Sequence, residues 1–320
     1  MRKIERIILH SKPVTTVREK SKSVYIPGFQ GLHLYEVYKF FISQINREGL
    51  NVRAAAIAFN IIMAIPAASL FLFTLVPYIP AAKNIHTELL KVILDITPDQ
   101  ATRTVVTNFL DDFFNNPKTG LLSIGFVLAL FYTSNAMMGI IRSFDRSLVS
   151  RAKTNFIKKR LRAIKLTVIL VLLVLGTALI SAGQGAFFNT IMNWLHIQNP
   201  GIRSLIQNLR WLVVIALFLY SIAFIYKFAP SVHKRWKLLS PGAIFATFLM
   251  IIATYLFSIW AQNFSSYNKF YGSIGTMLMI MLLIFYNSLV LLIGYELNVS
   301  ITHLKQEADK RLLQEKLKTN

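Results

Sequence analysis

The sequence predicts an all-α polytopic membrane protein with six transmembrane helices, an N-terminal interfacial helix and a short helical extracytoplasmic loop. Of its 320 residues, 54% are hydrophobic and only 15% are charged, whereas soluble proteins carry about 25% charged residues. Six apolar stretches reach the roughly 20 residues that a helix needs to cross a hydrocarbon core. Basic residues cluster in alternate connections between these stretches, as expected of a chain that crosses a membrane repeatedly.

The chain begins with a basic arm, residues 1–30, which we expect to lie in the cytoplasm. Between residues 31 and 49, apolar side chains recur at helical spacing, at Leu34, Val37, Tyr38, Phe41, Ile42 and Ile45. This pattern predicts an amphipathic helix. Such a helix lies either in the membrane interface or against the protein's own cytoplasmic face, and the residues fit both placements.

The membrane domain is predicted to cover residues 31–301. Its first span, residues 54–76, opens with the small residues of AAAIAF, which permit close helix contact. Pro66 lies within this span and removes a backbone hydrogen bond, which predicts a kink. The other spans are predicted at about residues 121–141, 164–188, 209–228, 239–261 and 274–299. A charged, helical cytoplasmic tail, residues 302–320, follows.

Two connections carry a more detailed prediction. Residues 81–119 are too polar to span a membrane and hold two short amphipathic pieces, about residues 85–96 and 98–114. The second piece begins with Pro98, and proline is favoured at the first position of a helix. These pieces form the predicted extracytoplasmic loop. Residues 262–272, QNFSSYNKFYG, are expected to form a short loop between the fifth and sixth spans.

The distribution of basic residues orients the spans. Of the 35 Lys and Arg residues, 28 fall in the arm and the start of the first span, in the links after spans two and four, and in the tail, and 7 fall on the other side. The positive-inside rule therefore predicts that both termini are cytoplasmic. It also explains the net charge of +21 without nucleic acid as a partner, and anionic headgroups of the bilayer are the expected contact of the basic face.

No pattern typical of an enzyme or of a cofactor site is present in the sequence. The chain has no Cys, which excludes disulfides and thiolate metal ligands. Its six His residues are scattered without the clustering that a metal-dependent nuclease needs. Walker, dinucleotide-binding and nucleophile-elbow motifs are absent. We therefore expect no catalytic residue, cofactor or metal, although polar residues from distant spans could still converge into an intramembrane enzyme, the least favoured hypothesis.

Three asparagines within the predicted spans are candidate binding residues: Asn60, Asn135 and Asn287. Polar side chains inside a membrane are costly and usually face the protein interior. Membrane helices also use amides to hold neighbouring helices together, and this structural role is favoured over a ligand site. On the sixth span, helical spacing places one set of residues on a shared face that excludes Glu296: Asn287, Leu291, Gly294 and Asn298.

Charged residues at the cytoplasmic ends of spans two and six are further candidates. Arg142 and Asp145 are three residues apart on one helix face, and Glu296 ends the sixth span at the same membrane level. We hypothesise that Glu296 pairs with Arg142 or Arg162 and so ties spans two and six together. The alternative is that Glu296 meets water at the interface.

Several short motifs in order along the chain resemble one protein family. They are AAAIAF at residues 54–59, Pro230 with a basic turn and Pro241-Gly242-Ala243, YGSIG at residues 271–275, and LLIGYELN at residues 291–298. Together they resemble the YihY / virulence factor BrkB family of six-span inner-membrane proteins, over roughly residues 34–301. The resemblance implies a multi-pass protein of the bacterial cytoplasmic (inner) membrane. Its members mostly lack an established activity, and the family's former name, ribonuclease BN, is regarded as a misassignment.

Two functions fit the sequence. The first is a transporter or flippase-like protein for a lipid or amphiphile, suggested by the interfacial basic helix, the broken first span and the intramembrane amides. An anionic headgroup would then meet Arg142, Arg160 or Arg162 at the inner leaflet. The alternative is a non-transporting membrane scaffold that recruits partners through its basic tails and outer loop. A homo-oligomer is compatible with either.

Overall fold

The regular elements in the part of the chain that the structure describes are α-helices. The structure is a computed structural model that describes residues 31–47, 49–75, 119–147, 154–182, 200–232, 235–263 and 265–319, with residues 104, 107, 108, 111 and 112. Its helices are α1 (Leu34–Arg47), α2 (Leu50–Leu75), α3 (Thr119–Ser147), α4 (Phe156–Ala182), α5 (Pro200–Phe228), α6 (Pro241–Asn263) and α7 (Ser265–Thr319). The all-α prediction is confirmed. The basic arm and most of the predicted outer loop lie outside the described residues.

The helices α2 to α7 form a closed ring in sequence order. Each packs against the next along the chain, and α7 returns to pack against α2. Helix α7 also contacts α3 across the ring. Residues far apart in sequence, at the start of α2 and in α7, are therefore neighbours.

The described helices support a multi-pass membrane protein. Four segments are long and apolar enough to cross a membrane: Leu50–Phe71, Ser123–Ser147, Pro241–Trp260 and Met277–Lys318. Helix α4 overlaps the predicted third span, and α5 contains a shorter apolar segment, Leu212–Phe228, within the predicted fourth. The count of six spans therefore stays a prediction.

The connection between the last two spans differs from the sequence prediction. Residues 262–272 were expected to form a loop, but α6 ends at Asn263 and α7 begins at Ser265. This segment contains no proline, so nothing prevents its backbone from continuing the helical hydrogen bonds. Helix α7 also continues through the predicted tail to Thr319, which makes it 55 residues long and confirms that the tail is helical.

A tight turn at Gly49 fixes the start of α2. Gly49 adopts a φ of +56°, a left-handed conformation that glycine takes at little steric cost. Its carbonyl accepts hydrogen bonds from the backbone N–H groups of Val52 and Arg53, at 3.1 and 3.3 Å. The turn thereby places Arg53 in the first turn of α2. Pro66 lies within the same helix, and the kink expected there stays a prediction.

The amphipathic helix α1 packs against the protein itself. Its Val37 is buried in a small apolar cluster with Leu32 and Ile301 of α7. Phe40 stacks on His303, with 4.8 Å between the ring centroids. Packing against the protein itself, the second of the two predicted placements, is therefore observed, and the cytoplasmic location of this face stays a prediction. Tyr38 is exposed on the other side of the helix, so contact of that side with the membrane interface stays a prediction.

The buried core lies at one end of the ring, which we call the packed end. It comprises the start of α2, the end of α3, the start of α4, the end of α5, the start of α6 and residues 290–301 of α7. These are the helix ends for which the positive-inside rule predicts a cytoplasmic location. Towards the other end, apolar side chains such as Phe126, Leu256 and Met277 are exposed, as expected for lipid contact.

Candidate functional site

A buried ion pair joins three helices at the packed end. Arg53 of α2 and Glu296 of α7 are 3% and 0% exposed, and Arg53 Nη1 donates to Glu296 Oε1 at 2.9 Å. Arg53 Nη2 donates to the Ser143 carbonyl at 2.6 Å and to Ser147 Oγ at 2.5 Å. The Ser147 hydroxyl in turn donates to Glu296 Oε1. One guanidinium group thus holds α2, α3 and α7 together.

A second ion pair, two residues from Ser147 along α3, joins the next part of the ring. The carboxylate of Asp145 accepts from Lys159 Nζ of α4 at 2.6 Å. It also accepts from the backbone N–H of Ser231 at 2.8 Å and from the Ser231 hydroxyl at 3.1 Å. Arg162 Nη1 lies 3.0 Å from Ser231 Oγ and 3.3 Å from the carbonyl oxygen of Ala229. This cluster joins α3, α4 and the link between α5 and α6.

Aromatic rings fill the space beside the two ion pairs. Phe144 and Tyr295, which precede Asp145 and Glu296 in sequence, stack face to face with centroids 3.8 Å apart and planes inclined by 2°. The ring of Tyr226 meets both edge-on, at 5.7 and 5.8 Å. The buried Tyr295 hydroxyl has no hydrogen-bond partner among the residues that the structure describes. The packed end therefore combines charged groups with a dense aromatic core.

Helices α6 and α7 approach so closely that two glycines are required between them. A Cβ atom on Gly242 would lie 2.1 Å from the carbonyl oxygen of Gly294, and one on Gly294 would lie 2.5 Å from Cβ of Ala246. Asn298 accepts from the Gly242 backbone N–H at 2.8 Å and donates to Ser240 Oγ at 2.8 Å. The predicted shared face of the sixth span is thus the face that packs on α6.

The three predicted asparagines lie on three different helix pairs and do not converge. Asn60 donates to the carbonyl of Ala56 in its own helix at 2.7 Å, and its side chain packs against Gly139 of α3. Asn287 accepts from Thr254 of α6 at 3.4 Å. Asn135 of α3 accepts a hydrogen bond from Arg160 of α4. Their contacts fit the helix-joining role that the sequence favoured.

The predicted partner of Glu296 is wrong. The pairing cation is Arg53 and neither Arg142 nor Arg162, because Arg142 is exposed and Arg162 bonds near Ser231. Glu296 does not meet water either, since it is 0% exposed. Spans two and six are still tied together, through the Ser147 hydroxyl.

Arg142 and Asp145 also differ in environment although they are three residues apart. Asp145 is 1% exposed and points towards α4 and Ser231, whereas Arg142 is exposed. The sequence missed Arg53, Lys159 and Ser231 as site residues. A usable signal existed for Arg53, because it is the last basic residue before the apolar stretch and its predicted membrane level equals that of Glu296.

The arrangement is a network of hydrogen bonds and ion pairs that joins helices. Within the described ranges, no group of three or more His, Cys, Asp or Glu residues could hold a metal ion. The charged groups of both clusters bond to hydroxyl or backbone groups as well as to each other. Such groups can exchange partners without breaking covalent bonds.

The chain is similar to proteins of several bacteria, among them membrane proteins. A family model described as Virulence factor BrkB matches residues 41–318. YfkH of Bacillus subtilis (strain 168), named a ribonuclease-like protein, is 28% identical over 81% of this chain and 92% of its own length. UPF0761 membrane proteins of Idiomarina loihiensis and Psychromonas ingrahamii are 26% and 22% identical, over 60% and 88% of this chain and 65% and 94% of their own lengths. No solved structure matches the chain.

Proposed function

The chain belongs to the Virulence factor BrkB family of membrane proteins, and from that premise we propose that it moves a lipid or other amphiphile across the bacterial inner membrane. In this proposal both termini are cytoplasmic and the packed end is the inner gate. The Arg53–Glu296 and Lys159–Asp145 ion pairs hold that gate closed, and no covalent step is involved.

The observation that carries this proposal is the burial of the Arg53–Glu296 pair at the end of a membrane helix ring. A buried ion pair is no more stabilising than well-packed apolar residues of similar volume. Ionisable residues within membrane spans are costly, and they usually mark a pathway or a moving part. The pair is therefore better explained by a need to open than by a need for stability.

The chemistry of Arg53 suggests how an amphiphile would open the gate. Its guanidinium fork binds the Glu296 carboxylate and the Ser147 hydroxyl, and the same fork fits a phosphate group. An anionic headgroup that reaches the packed end competes with Glu296 for these N–H groups. Separation of α2, α3 and α7 follows, since Arg53 is the residue that joins them.

The proposal is tested by lipid movement in reconstituted vesicles. Purified protein in phosphatidylcholine vesicles with a trace of fluorescent phosphatidylglycerol should expose inner-leaflet label to an external quencher faster than empty vesicles do. Glu296→Gln should raise the rate about tenfold, because the closed gate loses one charge-assisted contact of about 1.4 kcal/mol and Arg53 stays available to the headgroup. Glu307→Gln is the matched control, because Glu307 has a half-exposed side chain in the tail. A wild-type rate equal to that of empty vesicles sinks the proposal.

One observation favours the scaffold as a second candidate function. Helix α7 extends to Thr319 and exposes Leu312, Leu313 and Leu317. A surface groove between α1 and this extension is lined by Glu36, Lys39 and Arg311. A chain truncated after residue 301 discriminates, since a scaffold loses its partners in a pull-down while a transporter keeps its lipid movement.

A further inference from the structure

Arg160 is a partly buried cation held in an unusual setting on α4. Its Nη1 donates to the Asn135 side-chain oxygen, and its Nη2 lies 3.5 Å from the Phe131 carbonyl. Its guanidinium carbon lies 4.9 Å from the centroid of the Phe131 ring, a cation–π distance. An amide, a carbonyl and an aromatic ring therefore fix the guanidinium group in place.

These partners are all neutral, so the charge of Arg160 is not balanced by them. Within the described part of the chain, no carboxylate lies within ion-pair distance of Arg160. Arg53 and Lys159, by contrast, each bind a carboxylate. A guanidinium group has five N–H donors, and the contacts of Arg160 leave several for another acceptor.

The surface around Arg160 faces away from the core. Arg142 and Arg146 follow Asn135 by 7 and 11 residues, so helical spacing places all three on one face of α3. Both arginines are exposed, and so is Phe131 at 51%. Towards the other end of the helix the exposed side chains are apolar, as at Val127 and Leu128. The face changes from apolar to basic at Arg160, as the surface of a membrane protein does at the level of the headgroups.

We propose that Arg160 binds the phosphate of an anionic phospholipid beside Asn135 and Phe131, where α3 and α4 meet, with the exposed Arg142 on the same face of α3 as a second cation. The guanidinium fork donates two parallel N–H hydrogen bonds to a phosphate, and the exposed ring of Phe131 contacts the acyl chains. The apolar side chains beside the cation favour a lipid over free phosphate as the source of the anion. This inference rests on the proposed function in one respect: it takes the substrate to be a lipid, and it specifies that the lipid carries a phosphate.

The test measures lipid binding and needs no lipid movement. Wild type, Arg160→Gln and Lys158→Gln are placed in nanodiscs of phosphatidylcholine and phosphatidylglycerol, and the lipids retained on the released protein are counted by native mass spectrometry. Lys158→Gln is the matched control, because Lys158 is an exposed cation two residues away. We expect Arg160→Gln to lower the retained phosphatidylglycerol about fivefold or more and Lys158→Gln to lower it less than about twofold.

A second variant and a competition experiment separate loss of lipid binding from loss of folding and from binding of free phosphate. Arg160→Lys keeps the charge and loses the fork, so it should bind at an intermediate level and shows whether folding is preserved. Inorganic phosphate in millimolar excess should not displace phosphatidylglycerol. Three results would overturn the inference. Arg160→Gln and Lys158→Gln could lose phosphatidylglycerol equally, wild type could retain phosphatidylcholine and phosphatidylglycerol equally, or inorganic phosphate could displace the bound phosphatidylglycerol. Binding that persists in a protein without lipid movement overturns the proposed function and leaves this site standing.

Discussion

At the scale of single residues, the site depends on a few buried charges whose partners come from distant parts of the chain. Sequence reasoning selected Glu296 and Asp145 because both lie at the predicted cytoplasmic ends of their spans, at the same membrane level. It did not identify Arg53, which is 243 residues from Glu296 in sequence. Spacing along one helix predicts shared faces, but it carries no information on which other helix lies opposite.

Single and double substitutions should show that Arg53 and Glu296 are energetically coupled. Glu296→Leu or Arg53→Met removes one partner of a buried pair and should cost about 3–5 kcal/mol of stability, because the other charge loses this contact. The double variant should recover most of that loss, since an apolar pair of similar volume packs without a charge to desolvate. Thermal unfolding in detergent measures all three.

The contrary outcome for this pair is additive loss. If the stability loss of the double variant equals the sum of the losses of the two single variants, the two residues are not energetically coupled. The contact between them would then not contribute to the stability of the protein.

At the scale of secondary-structure elements, hydropathy located the helices well and their ends less well. The predicted fifth span, residues 239–261, corresponds closely to α6, Pro241–Asn263, because Pro241 marks a helix start. The predicted loop at residues 262–272 failed because polar residues such as Ser265 and Asn268 are compatible with a helix near the membrane surface. Composition indicates where a chain leaves the membrane, whereas a helix ends only where its backbone hydrogen bonds do.

The contact between α6 and α7 yields a prediction at this scale. Gly242→Ala places a methyl group against the Gly294 carbonyl, where a Cβ would lie only 2.1 Å away. Because backbone on both sides would have to move, we expect a loss of at least about 1–3 kcal/mol. Gly120→Ala is the control, since a Cβ there meets nothing within 4 Å and alanine favours a helix.

The unfolding temperatures of the Gly242→Ala and Gly120→Ala variants test whether α6 and α7 are in close contact. A Gly242→Ala protein that melts at the wild-type temperature would mean that the two helices are farther apart than the structure shows.

At the scale of the whole molecule, the ring of helices explains why the basic residues are distributed as they are. The packed end contains the helix ends that carry most of the Lys and Arg residues. The helix ends that the charge distribution predicts to lie on one side of the membrane are therefore the ends that the buried core brings together. The sequence could predict this grouping from charge alone. It could not predict the order of helices around the ring, because apolar surfaces of similar character fit many neighbours.

The orientation itself can be tested with single cysteines, since the natural chain has none. Lys237→Cys lies at the packed end and is exposed, and Thr104→Cys lies in the predicted outer loop and is exposed. A membrane-impermeant maleimide added to intact cells should label Thr104→Cys and not Lys237→Cys, and cell lysis should make the second site reactive. Labelling of both sites in intact cells would refute the predicted topology.

The central claim is that the packed end opens to let a lipid pass, and that its buried charges are retained for this movement. The most direct measurement is the rate of phosphatidylglycerol movement in vesicles containing the Arg53→Met, Glu296→Leu double variant, once its unfolding temperature has been shown to match or exceed that of wild type. We predict a folded protein whose lipid movement falls to the level of empty vesicles, because an apolar gate offers a headgroup no cation to bind. Movement at the wild-type rate in this variant would contradict the account.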